Sequence, residues 1–154
     1  MPSFKGEFEH SVDNKGRVAL PAKLRKILKP EAQERFTILR GIEPCLYLYP
    51  QDEWELVEDK LSRTNGFSRR DRIVKRNFLR SAEDLVLDKQ NRISLPSHLM
   101  EWSGISDSAI FIGSGELIEV WSPEKLEEVD ADLSFESYQD LFEEVMSGLN
   151  EGGD

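Results

Sequence analysis

One short turn motif occurs twice in the chain, and this duplication limits the folds that are open to it. The two copies share an Asp, an Arg, a β-branched residue, a Leu-Pro pair and a further Leu, each 75 positions apart: Asp13 and Asp88, Arg17 and Arg92, Val18 and Ile93, Leu20 and Leu95, Pro21 and Pro96, Leu24 and Leu99. Because so many matches at one offset are hard to obtain by chance, we infer an internal duplication. A chain of 154 residues then builds one compact domain or two small halves that share a core.

Each copy of the motif predicts a strand, a tight turn, a second strand and a helix. Gly16 and Asn91 lie in the turns, where Gly or Asn tolerates a positive φ and Asx side chains bond the nearby backbone. Pro21 and Pro96 suit the first turn of a helix, where the missing N–H would have no partner. A plainer interpretation of the Asp and the Arg four residues later stays open, in which an ion pair only braces the turn.

The similarity between the two halves extends well beyond the turns. In both halves, two strand-like segments flank a loop that contains Gly, and a helix start that contains Pro follows: 36–39, 45–49 and 50–54 in the first half, 109–112, 117–121 and 122–126 in the second. Between the halves, residues 68–82 predict a helix, and residues 135–149 predict an amphipathic helix. The pattern as a whole predicts an α+β fold.

The net charge of −10 is unevenly distributed along the chain. Residues 1–60 carry −1, residues 61–82 carry +6 and residues 83–154 carry −15. Four arginines of the central helix lie on one face: Arg69, Arg72, Arg76 and Arg80. This face is either solvated or turned toward phosphate or an acidic partner, and the sequence leaves these alternatives open.

No residue pattern points to catalysis. The two histidines, His10 and His98, have no convincing nucleophile or metal-ligand neighbours, and the lone Cys45 is expected to be a small core residue. We therefore expect no enzyme, no metal site, no cofactor and no small-molecule substrate. The sequence also contains no apolar run long enough to cross a bilayer and no secretory signal, so we expect a cytoplasmic protein without a membrane partner.

The duplicated motif identifies a family resemblance. Asp13-x-x-x-Arg17 with Leu20-Pro21, repeated as Asp88-x-x-x-Arg92 with Leu95-Pro96, resembles the MraZ family of bacterial regulators, as do residues 45–50, Trp54 and the Arg-rich stretch that enters Phe78. The family belongs to the AbrB/SpoVT group of swapped-hairpin DNA-binding folds. The resemblance implies a transcriptional regulator of the division and cell-wall gene cluster that binds short repeated boxes in promoter DNA. It also implies association with the nucleoid and a homo-oligomeric ring.

Together, the residues and the resemblance predict two tandem AbrB/SpoVT-like β-α-β units that form an intramolecular pseudo-dimeric swapped-hairpin barrel with flanking helices. A single-copy chain would need a partner to complete such a core, whereas a duplicated chain supplies both copies. The predicted domains are a first unit at 5–54, an Arg-rich linker helix at 61–82, a second unit at 83–126 and an acidic C-terminal helix and tail at 127–154.

The predicted DNA-binding side chains lie in the turns and the helix after the first turn: Lys15, Arg17, Lys23, Arg25, Lys89 and Arg92. The predicted turn-bracing residues are Asp13, Gly16, Asp88 and Asn91. Arg suits bidentate contact with guanine, whereas Lys suits phosphate contact. In the second copy, His98 and Met100 stand at the positions of the basic residues Lys23 and Arg25. Residues 13–26 therefore carry a net charge of +4, whereas residues 88–101 carry a net charge of zero. We expect the first turn to contribute more of the binding.

A second function stays open at this point. A protein of the same fold can act as an antitoxin-like interaction module, whose acidic C-terminal segment wraps a partner protein. An unpartnered tail that orders only on binding would favour this alternative, whereas salt-sensitive binding to direct-repeat DNA would favour the regulator.

Overall fold

The computed structural model describes residues 3–151, and it divides into two compact units, Met1–Pro123 and Glu124–Asp154. The first repeat contains β1 (Glu7–Ser11), β2 (Arg17–Ala19), α1 (Ala22–Arg25), a 3-10 helix (Pro30–Ala32), β3 (Arg35–Arg40), β4 (Leu46–Pro50) and α2 (Gln51–Ser62). After α3 (Arg69–Leu79), the second repeat contains β5 (Glu83–Val86), β6 (Arg92–Ser94), α4 (Ser97–Ser103), β7 (Ser108–Ser114) and β8 (Leu117–Trp121). The chain continues with α5 (Pro123–Ala131) and α6 (Phe135–Glu151), and the predicted α+β class is confirmed.

Every strand of the first repeat pairs with a strand of the second. The pairs are β1 with β7, β2 with β6, β3 with β5 and β4 with β8, all antiparallel. The strand that leads into each turn therefore pairs with the long strand of the other repeat. Because each repeat supplies the strand partners of the other, neither repeat could satisfy its backbone hydrogen bonds alone.

The predicted closed barrel is not confirmed. The described strands form an open six-stranded sheet in the order β1-β7-β8-β4-β3-β5 and a separate two-stranded sheet of β2 and β6. The strands β1 and β5 form the two edges of the larger sheet, and no pairing between them closes it within residues 3–151. The three-residue strands β2 and β6 pair with each other and are not part of the large sheet.

The apolar residues of the duplicated motif form the centre of the core. Six of them are at most 4% exposed: Val18, Leu20, Leu24, Ile93, Leu95 and Leu99. They pack with sheet residues of both repeats, among them Phe36 and Phe111, which are fully buried. Cys45 is also buried, as expected, and burial raises the pKa of its thiol, so that it stays neutral.

A second apolar cluster fixes the C-terminal end of α3 to the sheet. The Trp54 ring lies 5.5 Å from the Tyr49 ring and 6.1 Å from the Phe78 ring, measured between centroids. Burial raises the pKa of Tyr49 to about 12. Apart from Phe78 and Leu79, which belong to this cluster, α3 is largely exposed and contains no buried residue.

Two local features depend on more than their own residues. The helix α1 ends at Arg25, and Lys29, which precedes Pro30, takes an extended conformation with φ −83° and ψ 151°. The strand predicted before the second turn is present as β5, although its sequence Glu83–Val86 has two exposed acids and few apolar residues. Its pairing with β3 supplies the missing stabilisation.

The predicted amphipathic tail helix is confirmed as α6, whereas the tail beyond it lies outside the described residues. Among the helices of residues 3–151, none combines the length and the apolar character that a bilayer crossing requires. The predicted domain limits stay predictions.

Candidate nucleic-acid interface

The carboxylate of Asp13 organises the first turn. Its Oδ1 accepts hydrogen bonds from the backbone N–H of Lys15 and of Arg17, both at 2.9 Å, and its Oδ2 accepts one from Arg17 Nε at 2.8 Å. The backbone closes the same turn, because Gly16 N donates to Asp13 O at 3.0 Å and Asp13 N donates to Arg17 O at 2.9 Å. The Lys15 side chain is left exposed at the tip.

The second turn repeats this network residue by residue. Asp88 Oδ1 accepts from the backbone N–H of Gln90 at 2.8 Å and of Arg92 at 2.9 Å, and Asp88 Oδ2 accepts from Arg92 Nε at 2.9 Å. Asn91 N donates to Asp88 O at 3.0 Å. The two turns therefore have the same construction, and Lys89 is exposed at the second tip as Lys15 is at the first.

These hydrogen bonds stabilise the charged form of both aspartates. The backbone N–H of Arg17, with smaller contributions from the Arg17 side chain and the Lys15 N–H, lowers the pKa of Asp13 to about 2. The corresponding bonds from Arg92 and Gln90 lower the pKa of Asp88. Both carboxylates are therefore ionised at neutral pH and hold the arginine side chains in one orientation.

A left-handed residue makes each turn possible. Gly16 has φ 78° and Asn91 has φ 59°, in the region that Gly tolerates best and Asn next best. A Cβ on Gly16 would meet Leu95 O and Met100 Sδ at 3.1 Å each. The backbone of the first turn therefore passes close to the second repeat.

The strands β2 and β6 join the two turns into one element, which we call the ribbon and define as residues 13–19 and 88–94. Arg17 pairs with Ser94, Val18 with Ile93 and Ala19 with Arg92. Two bonds at matching positions extend this pairing, from Leu20 N to Asn91 O at 3.0 Å and from Leu95 N to Gly16 O at 2.8 Å. The ribbon is thus a symmetrical contact between the repeats.

The alternation of side chains along the ribbon places both turn arginines on its outer face. Val18 and Ile93 point into the core and are at most 1% exposed, so their neighbours Arg17 and Arg92 point away from it. Each arginine keeps about a third of its side chain exposed, at 33% and 27%. Two guanidinium groups thus share one solvent-facing surface.

The two arginines differ in how strongly the chain neutralises them. Arg17 has one carboxylate partner, Asp13. Arg92 has two, because its Nη1 also lies 3.9 Å from Asp13 Oδ2 in addition to the bond with Asp88. The first arginine is therefore the one with more charge left to offer a ligand.

The predicted helix residues contribute unequally. Lys23 is exposed on α1, whereas Arg25 folds back, with its Nη1 3.4 Å from Leu20 O. At the position of Lys23, the second repeat has His98, whose Nε2 contacts Glu83. The helix after the first turn thus adds exposed positive charge next to that turn, whereas the helix after the second turn does not.

Sequence reasoning missed one residue of this surface. Ser94 lies directly opposite Arg17 and is exposed on the outer face of the ribbon. The alternation Arg92, Ile93, Ser94 carried the signal, since residues two apart on a strand share a face. Within residues 3–151, no group of three or more His, Cys, Asp or Glu side chains is arranged to hold a metal ion.

The chain matches the family described as "MraZ protein, putative antitoxin-like" twice, over residues 3–77 and 78–146. The chain belongs to the MraZ family. The family predicted from the turn motifs is thus confirmed, and the two matches correspond to two tandem MraZ repeats. The second match includes most of α6, which no sequence motif had connected to the family.

Known members of the MraZ family are similar over most of their length. The chain is 42% identical to "Transcriptional regulator MraZ" of Syntrophomonas wolfei over 147 residues, which cover 95% of this chain and 96% of the relative. It is 37% identical to the protein of the same name from Natranaerobius thermophilus, over 93% of this chain and 96% of the relative. The protein of that name from Caldanaerobacter subterraneus is 42% identical over 85% of this chain and 90% of the relative.

Proposed function

We propose that the chain is a DNA-binding transcriptional regulator, not an enzyme, that reads short repeated boxes in the promoter of the division and cell-wall gene cluster. The relatives carry the name of a transcriptional regulator, and the family resemblance supplies the target genes. Such a protein acts in the cytoplasm in association with the nucleoid, with double-stranded DNA and further copies of itself as partners.

The observation that carries this proposal is the pair of arginines on one face of the ribbon. The major groove of B-DNA is wide enough to admit a two-stranded β-ribbon, and Arg is the residue best suited to bidentate contact with guanine O6 and N7. Arg17 and Arg92 share the outer face of such a ribbon, and the aspartates fix the direction of both. The guanidinium groups are therefore oriented before binding, which reduces the entropy lost on contact with a base.

The lysines supply the contacts that carry no sequence information. Lys15 and Lys89 project from the turn tips, and Lys23 projects from α1, where each can neutralise a phosphate. Arg25, whose Nη1 donates to Leu20 O, supports the surface of the first turn. One chain makes few such contacts, so an oligomer on several boxes gains its affinity by engaging them at once.

A titration of labelled duplexes tests this function. The duplexes carry either the repeats that precede the downstream genes or a shuffled sequence of the same composition. We expect specific affinity to exceed non-specific affinity by about 10³-fold or more, with a linear fall of log K against log salt. Equal affinity for both duplexes at every salt concentration would overturn the proposal.

The antitoxin-like alternative has one observation in its favour, the exposed apolar face of α6, which could bind a partner protein. In that case a toxin-like partner would form a stable complex with the chain, and the apolar face of α6 would be buried in that complex. A chain that binds its boxes specifically in the purified state, without any such partner, favours the regulator.

A further inference from the structure

The helix α6 exposes a complete apolar face. Six of its apolar side chains, spaced three or four residues apart for the most part, are between 50% and 78% exposed: Phe135, Tyr138, Leu141, Phe142, Val145 and Leu149. On the helical wheel, Glu143 and Glu144 flank this face, since Glu143 is three residues from Met146 and Glu144 is three residues from Leu141, whereas Asp140 lies on the opposite side. A continuous apolar face of this kind in water marks an interaction surface.

A second exposed apolar surface lies on the unit that contains the repeats. It is a groove of about 480 Å³ between α3, the loop after β3 and α4, which we call the α3 groove and define by Arg40, Ile42, Ile73, Val74, Phe78 and Trp102. Its apolar walls are open to solvent, since Ile42 is 82% exposed and Val74 is 60% exposed.

One wall of the α3 groove is held in place by Arg40. The Arg40 guanidinium lies 5.7 Å from the centroid of the Trp102 ring, and its Nη2 donates to Asn77 O at 3.5 Å. Arg40 therefore connects α4 to α3 across the groove. The apolar floor is thus flanked by a fixed positive charge.

The two surfaces carry opposite charges of similar size. Residues 69–80 hold six basic residues and one acid, a net charge of +5. The helix α6 holds five acids and no base, a net charge of −5. Opposite charge at the edges of two apolar surfaces directs their association and fixes their pairing.

We infer that α6 of one chain docks its apolar face into the α3 groove of a second copy of the chain. The contact is an amphipathic helix laid into an apolar groove, with acids at its edges next to the arginines of α3. Pairing of α6 with α6 would instead bring together two helices of net charge −5, and like charges across an interface disfavour it. This inference rests on the oligomeric part of the proposed function and names the surfaces that build the oligomer.

Two aspartate substitutions and two controls test the contact by light scattering at micromolar concentration. Phe142→Asp places a charge on the apolar face of α6, and Val74→Asp places one in the α3 groove. Ser147→Asp on the polar face of α6 and Leu56→Asp on α2 are the controls, since Leu56 is 55% exposed and lies outside the groove. All four positions are exposed, so thermal melts should show that each variant stays folded.

We expect Phe142→Asp and Val74→Asp each to shift the mass toward the 17.7 kDa of one chain, while the controls keep the mass of the unmodified protein. Mixing the two variants restores one intact contact, between α6 of the Val74→Asp chain and the groove of the Phe142→Asp chain, and should give a pair of chains. An unchanged mass for either variant, or a mixture that stays at one chain, would overturn the inference.

The same proteins separate this inference from the proposed function. The Phe142→Asp chain should still bind a single box with its specific preference, because the ribbon is unaltered. If the unmodified protein also shows no preference for its box, this result counts against DNA recognition, whatever the mass of the oligomer. If the unmodified protein itself has the mass of one chain, then the inference is wrong while DNA recognition can stand.

Discussion

Gly16→Ala is a sharp test of the way in which the two turns are built. Gly16 has φ 78°, and a left-handed conformation costs an L-residue about 1–2 kcal/mol. The added Cβ would also lie 3.1 Å from Leu95 O, and this oxygen cannot easily retreat because Leu95 N donates to Gly16 O at 2.8 Å. We therefore expect a loss of about 2–3 kcal/mol in the free energy of unfolding. For a chain of this size, each kcal/mol lowers Tm by roughly 2–4 °C.

Urea unfolding and thermal melts of matched variants divide this loss into its parts. Gly16→Asn adds the same Cβ but tolerates the positive φ better, so we expect it to lose less stability than Gly16→Ala. Asn91→Gly keeps φ 59° accessible without a Cβ and should stay within about 0.5 kcal/mol of the unmodified protein. Unchanged stability in Gly16→Ala would refute the reasoning. Equal losses for Gly16→Ala and Gly16→Asn would show that the positive φ at this position contributes nothing to the loss.

Three further predictions concern other parts of the chain. Because the pKa of Asp13 falls from 3.8 to about 2 on folding, its bonds stabilise the fold fully above pH 3.8 and lose this effect as the pH falls through about 2. In this pH range the free energy of unfolding of Asp13→Asn should therefore change less with pH than that of the unmodified protein. At neutral pH the variant should also be less stable than the unmodified protein. Gly113→Ala should lower Tm strongly, since a Cβ there would lie 2.2 Å from Lys5 N, and a melt as high as that of the unmodified protein would contradict this contact. Deletion of the chain from Asp132 onward should leave the affinity for a single box equal or higher, because an acidic segment that phosphate repels is removed; a deletion variant that is folded but no longer binds a single box would contradict this.

Local chemistry explains why the turns could be predicted from sequence. Gly16 and Asn91 adopt positive φ because their residue types tolerate it, and Asp13 lies close enough in sequence to bond the backbone of its own turn. The same holds for the strand pairs 35–40 with 46–50 and 108–114 with 117–121, whose short loops leave one partner within reach. These features depend on neighbours only a few residues away.

The features that sequence could not supply depend on distant contacts. The strand β5 was expected from the repeat, but its pairing with β3, which stabilises its weak strand sequence, could not be predicted. The approach of Arg92 Nη1 to Asp13 Oδ2 joins residues that only the ribbon brings together. The resemblance predicted a closed barrel, but the open sheet follows from pairing between the repeats that no local pattern encodes.

The central claim, that the turn arginines read DNA and that the first reads more, is tested most directly by comparing Arg17→Ala with Arg92→Ala. The two variants are closely matched, since each loses the bond from Nε to its own aspartate, at 2.8 Å and 2.9 Å, and Arg92→Ala loses in addition only the 3.9 Å contact with Asp13. Differences in stability should therefore be small, and thermal melts of both variants will check this. A difference in DNA affinity then reports the contact with the base.

Affinity for a single box, measured at several salt concentrations, is the deciding quantity. We predict that Arg17→Ala loses about 1–3 kcal/mol of specific binding, roughly 5- to 150-fold, and relaxes preference at one base position. Arg92→Ala should lose less, because Asp13 and Asp88 already neutralise Arg92. Lys15→Ala should change the salt slope by about one unit and leave the base preference intact. Equal losses for the two arginine variants would contradict the asymmetry, and intact base preference in both folded variants would contradict the account as a whole.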